Sequence, residues 1–158
     1  MERIFKHYTS TQIQRSTREF MVTIIRWICM ALFLYTAYAK SIGHNQFLAG
    51  LSIVQLIHGF ATPISFLVPF FELVIALLLL HPKTATIGLY GFISAMGLFT
   101  LYIVGVLIWE KDLPCHCGGI IERLSWKQHI WFNIGFILLA IFAIQLNKLN
   151  TPFKKDQK

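Results

Sequence analysis

Four long apolar runs, at about residues 20–39, 64–80, 86–108 and 126–146, dominate the sequence and are separated by short polar stretches. A bilayer's hydrocarbon core is about 30 Å thick and takes roughly 20 residues of α-helix to cross, so each run is long enough to span. The first run is interrupted only by Arg26, and the second, which follows Pro63, only by Glu72. The third carries no charge, and the fourth has Lys127 and His129 at its start. The pattern predicts an all-α integral membrane protein, a four-transmembrane-helix bundle. Between the first two runs, Phe47, Leu48, Leu51, Val54, Gln55 and His58 recur at helical spacing, which predicts a short helix lying in the membrane interface. Ser125 and Gln128 form a capping-box pattern ahead of the fourth run, and Gly118-Gly119 just upstream permits a tight connection. Residues 1–19 are read as an amino-terminal tail, 20–146 as one membrane domain and 147–158 as a basic tail. Ala37-Tyr38-Ala39 resembles a signal-peptidase site, but the polar leader before the first run is long for a signal peptide, so a retained helix is expected.

Composition agrees. Of the 158 residues, 56% are hydrophobic and 13% charged, where a soluble domain has about a quarter charged. The net charge of +7 raises the question of nucleic acid. Here, however, the basic residues flank apolar runs, as topology signals do, and no nucleic-acid partner is expected. Arg3, Lys6, Arg15, Arg18, Lys83, Lys148, Lys154, Lys155 and Lys158 fall on one side of the predicted bundle. Lys40, Lys111, Arg123 and Lys127 fall on the other. The positive-inside rule then places both termini in the cytoplasm, with the first and third connections outside. Trp109, Trp126 and Trp131 lie near the outer boundary, where interfacial tryptophans collect.

The third connection carries Pro114-Cys115-His116-Cys117-Gly118-Gly119. Two cysteines one residue apart can pair if the backbone turns sharply, which the neighbouring proline and glycines favour. By chain entropy such a small ring would add only about 1.6 kcal/mol before strain, a poor staple. A strained, exposed bridge is instead the kind that exchanges with other thiols, and a protonated His116 would assist by favouring thiolate. Two other readings stay open: an inert bridge that only shapes the loop, and metal binding by the cysteines with the outer His44, His58, His116 and His129. The third cysteine, Cys29, lies mid-span, roughly 15 Å below the outer end of its helix, and is expected to be a small buried hydrophobe.

Charges within spans are costly unless paired or turned inward. Glu72 has two candidate partners, Arg26 and Lys40, and the pair could hold helices together or serve a proton or quinone site. His129 and Asn133, four residues apart, share a face of the fourth helix beneath the cysteine loop. Cys115, Cys117, His116 and His129 are the candidate catalytic residues. Glu72, Asn133 and Arg26 are the candidate cofactor-binding residues, with a quinone as the candidate cofactor and no metal assigned.

The chain resembles the MauE/DoxX family of redox-associated membrane proteins, particularly its Bacteroidota forms. The resemblance covers roughly residues 20–146. It rests on Leu34-Tyr35-Thr36-Ala37-Tyr38-Ala39-Lys40, Val68-Pro69-Phe70-Phe71-Glu72, Phe99-Thr100-Leu101-Tyr102-Ile103 and, most specifically, the Cys-His-Cys-Gly-Gly loop and Trp126-Lys127-Gln128-His129 leading into Phe132-Asn133. It implies a four-helix membrane bundle; with the orientation above, the expected location is the bacterial inner membrane with the cysteine loop on the periplasmic side. Methylamine-utilisation members are associated with maturation of a disulfide-rich periplasmic enzyme alongside a thioredoxin-like partner. Cys115 and Cys117 would then be the exchange pair, working with a periplasmic thioredoxin-like protein. The alternative is a non-enzymatic accessory subunit of a larger envelope complex with a structural loop disulfide.

Overall fold

The computed structural model describes residues 2–54, 57–109 and 126–150. Helix α1 (Glu2–Ile42) is followed by α2 (His44–Ile53), a 3-10 turn at His58–Phe60, α3 (Ala61–Leu80), α4 (Ala85–Trp109) and α5 (Trp126–Asn150). No strand occurs among the described residues. Four segments are long and apolar enough to cross a membrane: Ser16–Ile42, His58–Leu80, Ala85–Ile108 and Lys127–Lys148. The expected spans are all present.

Helix α1 is much longer than its apolar run, because the first glycine or proline of the chain is Gly43 and nothing before it breaks the backbone. The polar residues from Glu2 onward therefore continue the spanning helix as regular α-helix. Gly43 marks only a short interruption: its N–H donates to the Ala39 carbonyl at 2.9 Å, and the Phe47 N–H donates to its own carbonyl at 3.0 Å. The interfacial helix begins earlier than its apolar positions suggest and stops at Ile53, where Val54 turns extended. His58 consequently belongs to the separate 3-10 turn. Helix α3 ends at Leu80 because His81 precedes Pro82, which disfavours helical angles, and His81 is extended. Pro63 sits in the first turn of α3, where its missing N–H costs nothing, while Pro69 lies inside the helix and has no N–H to give the preceding turn.

The helices run alternately up and down. Helix α1 packs on α3 and α5, helix α4 packs on α3 and α5, and α2 lies against α3. On α1 the buried residues Ile25, Cys29, Phe33 and Ala37 recur every four positions and form the stripe that meets the other helices. Phe33 stacks on Phe92 of α4 at 4.4 Å between centroids, and Phe92 meets Phe136 of α5 at 6.3 Å. Helix α4 approaches α3 closely through glycine: a Cβ on Gly88 would stand 3.0 Å from the Leu79 backbone nitrogen, and one on Gly91 would stand 3.2 Å from Ile75.

Outside, the bundle is apolar. Phe66, Phe70, Leu77, Leu98, Leu101 and Leu138 are all exposed, whereas Ser65, Glu72 and Asn133 are buried. Polar side chains inside and large hydrophobic ones outside is the arrangement that lipid selects, since lipid offers no hydrogen bonds and no penalty for apolar surface. The chain is a multi-pass membrane protein.

Candidate functional site

The buried polar side chains lie between mid-span and one end of the bundle, the end where α1 finishes and α3 and α5 begin. Lys40, near the end of α1, donates from Nζ to Oε1 of Glu72 at 2.7 Å. Glu72 is 1% exposed and the Lys40 side chain 17%, so this is an ion pair inside the protein with one partner leaning toward the edge. Thr36, one turn before Lys40, adjoins the same carboxylate. Among the described residues the other oxygen, Oε2, is buried with no hydrogen-bond partner.

Aromatic rings surround the ammonium. Lys40 Nζ stands 5.8 Å from the Phe47 ring centroid on α2 and 5.3 Å from that of Phe99 on α4. At these distances the ring faces attract the cation and lower the cost of holding it away from water. Helix α2 is thereby tied across the mouth of the bundle, and it is fixed to α3 as well, His44 stacking on Phe66 at 4.4 Å.

Helix α5 completes the cluster. Asn133 is buried, and its Nδ2 donates to Thr100 Oγ1 at 3.2 Å; the Thr100 hydroxyl in turn donates to the Met96 carbonyl at 2.7 Å. One turn nearer the end of the bundle, His129 is half-buried and within electrostatic reach of the Lys40 ammonium. Phe132 and Phe136 stack at 4.7 Å beside Asn133 and lead down to the Phe92 ring.

Of the expected site residues, the structure brings Glu72, His129 and Asn133 to this one end. Arg26 is not there. It is half-buried on α1, about 21 Å along the helix from Lys40 by residue rise, and Lys40 holds the carboxylate. Cys115, His116 and Cys117 lie outside the described residues, as does Ser125 of the capping box. In sequence they fall between α4 and α5, and α4 ends and α5 begins on the side of the bundle that holds the Lys40–Glu72 pair. Cys29 is a free, fully buried thiol in the core, as expected. Among the described residues no three histidine, cysteine or acidic side chains come together as a metal cluster would require. Trp131 faces outward, 73% exposed.

Sequence reasoning finds Lys40 only as a candidate partner of Glu72, and it does not single out Thr36, Thr100, Phe47 or Phe99 as site residues. The signal is nonetheless present in the motifs. Each stretch outside the cysteine loop that carries the family resemblance contributes to the cluster: Thr36 and Lys40 from the first, Glu72 from the second, Phe99 and Thr100 from the third, His129 and Asn133 from the last. Segments far apart in sequence thus converge in space on one polar cluster.

Comparison with curated proteins and with solved structures finds no match. The family model described as methylamine utilisation protein MauE, in contrast, matches residues 18–146, which reach into all four spans and take in the whole polar cluster, and the chain belongs to that family.

Proposed function

We propose that this protein is a membrane component of extracytoplasmic thiol–disulfide exchange, in which Cys115 and Cys117 alternate between dithiol and disulfide. In each cycle the pair gains or loses two electrons and two protons, and a thioredoxin-like partner undergoes the opposite change. One observation carries the reading. The end of α4 and the start of α5, which flank the Cys-His-Cys segment in sequence, lie on the side of the bundle where Lys40, Glu72, His129 and Asn133 converge. His116 would favour the attacking thiolate, and His129 would stand beneath the loop as a proton donor or acceptor. The distribution of lysine and arginine supports termini in the cytoplasm of a bacterial inner membrane and the cysteine loop on the periplasmic side. The family description favours service to an enzyme of methylamine utilisation, with the exchange pair acting on its disulfides.

Thiol exchange passes through a mixed disulfide, which persists when the resolving cysteine is absent. Cells carrying Cys115→Ser or Cys117→Ser are expected to yield, after acid quenching and alkylation, a covalent complex with a thioredoxin-like protein from one of the two variants and none from the double Cys115→Ala, Cys117→Ala variant. If neither single variant traps a partner, the exchange reading fails. Full function in the double variant together with a stoichiometric copurifying complex would instead identify a non-enzymatic accessory subunit.

A further inference from the structure

We propose that the Lys40–Glu72 pair is one wall of a binding site for a lipid-soluble quinone/quinol, whose hydroxyl donates to the unpaired Oε2 of Glu72. Oε1 is occupied by Lys40 at 2.7 Å, while Oε2 is buried without a donor among the described residues. A buried carboxylate oxygen left in this state forfeits the hydration it had in water and gains nothing in return. Lys40 already balances the charge of Glu72, so the missing partner is a neutral hydrogen-bond donor rather than a second cation.

Position and surroundings narrow the class of donor. Glu72 is about 16 Å along α3 from Ala61, well inside a membrane span, so a partner that dissolves in lipid reaches it more readily than one confined to water. The rings of Phe47 and Phe99 flank the ammonium, and the stacked Phe132 and Phe136 lie beside the buried Asn133. Flat aromatic faces around a few convergent polar groups suit a planar ring that carries hydroxyls. Phe47 covers the ammonium from α2, which the stack of His44 on Phe66 holds against α3.

The inference rests on the thiol–disulfide reading for its purpose. A dithiol that closes to a disulfide releases two electrons and two protons, and a quinone that becomes a quinol takes up the same number. The reverse reaction balances equally. Arg26, far down α1, has no part in this site.

The test uses full-length protein in lipid nanodiscs and a short-tailed benzoquinone, decyl-benzoquinone, with binding followed by calorimetry. One saturable site per chain is expected. The charge-balanced Lys40→Met, Glu72→Gln double variant is expected to bind roughly tenfold more weakly or worse, for loss of a hydrogen bond to a charged acceptor. Phe99→Ala, which leaves the ion pair in place, is expected to weaken binding as well, and Arg26→Leu to leave it unchanged. Binding is also expected to persist in the Cys115→Ala, Cys117→Ala variant, because that variant removes only the exchange chemistry. Partitioning no different from empty nanodiscs would overturn the site, as would saturable binding that both the double variant and Phe99→Ala leave intact; a buried water would then be the donor. Trapped mixed disulfides without quinone binding would sink this site alone, whereas quinone binding without trapped partners would sink the exchange reading and leave the site standing.

Discussion

Replacing Lys40 by methionine is expected to destabilise the bundle by roughly 3–5 kcal/mol, the usual cost of removing one partner from a buried ion pair. The substitution removes the donor from Glu72 Oε1 when Oε2 already lacks one among the described residues, and the carboxylate is too deeply placed to turn toward water. Glu72→Leu is expected to cost less. Lys40 stands near the end of α1 with its side chain partly exposed, and a freed lysine can extend its ammonium to the interface. The Lys40→Met, Glu72→Leu double variant is expected to recover most of the loss, since a matched apolar pair often replaces a buried ion pair at little cost. Unfolding of the purified proteins in one detergent, treated as a double-mutant cycle, measures the coupling. Additive losses would show that the two residues do not act on each other.

Gly88→Leu is expected to cost at least about 2–3 kcal/mol, as overpacking at a tight contact does. The atoms that a Cβ would meet are the Leu79 nitrogen at 3.0 Å, Leu79 Cγ at 3.0 Å and the Leu78 carbonyl carbon at 3.1 Å. Two of these belong to the backbone of α3 and cannot swing aside, so the helices must separate. In lipid such separation is especially damaging, because close packing rather than hydrophobic burial holds spanning helices together. The short connection, in which the Thr84 hydroxyl lies 2.8 Å from the Leu78 carbonyl, leaves little slack to absorb the shift. Gly97 lies on the same helix with nothing within 4 Å of an added Cβ. Gly97→Leu is therefore expected to be neutral or to stabilise by up to about 1 kcal/mol through helix propensity alone. Equal losses at the two positions, measured by unfolding in one detergent, would contradict a close α3–α4 contact at Gly88.

The spans are legible in the sequence because hydrophobic length is a one-dimensional property: about 20 apolar residues suffice, whatever lies beside them. Partner choice within the bundle is not. Arg26 and Lys40 both lie within a turn of the buried stripe of α1, so rotation about the helix does not separate them. What separates them is relative depth, which depends on how α1 and α3 slide past one another and is fixed only when Ile25, Cys29 and Phe33 settle against their neighbours. The link from Asn133 to Thr100 is invisible for a similar reason, since it joins two spans that sequence alone does not bring into register. The end of α2 at Ile53 is blurred because Val54 and His58 continue the apolar spacing after the backbone has left the helix. The amino-terminal part of α1 escapes a sequence reading because a polar segment without glycine or proline gives no periodic signal, although nothing in it opposes helix. The candidate chemistry is legible where it consists of residue types that are expensive in lipid, as Glu72 and Asn133 are. It is illegible where it consists of aromatic rings such as Phe47 and Phe99, which also serve as ordinary packing.

The redox proposal meets its most direct trial in the reduction potential of the Cys115–Cys117 pair. Protein in nanodiscs would be equilibrated with graded glutathione buffers and its free thiols counted by alkylation. Half-reduction is expected at a potential above about −300 mV, within the range of disulfides that exchange with thioredoxin-like proteins. A bridge that stays closed below that value, or cysteines that never pair under oxidising conditions, would contradict it.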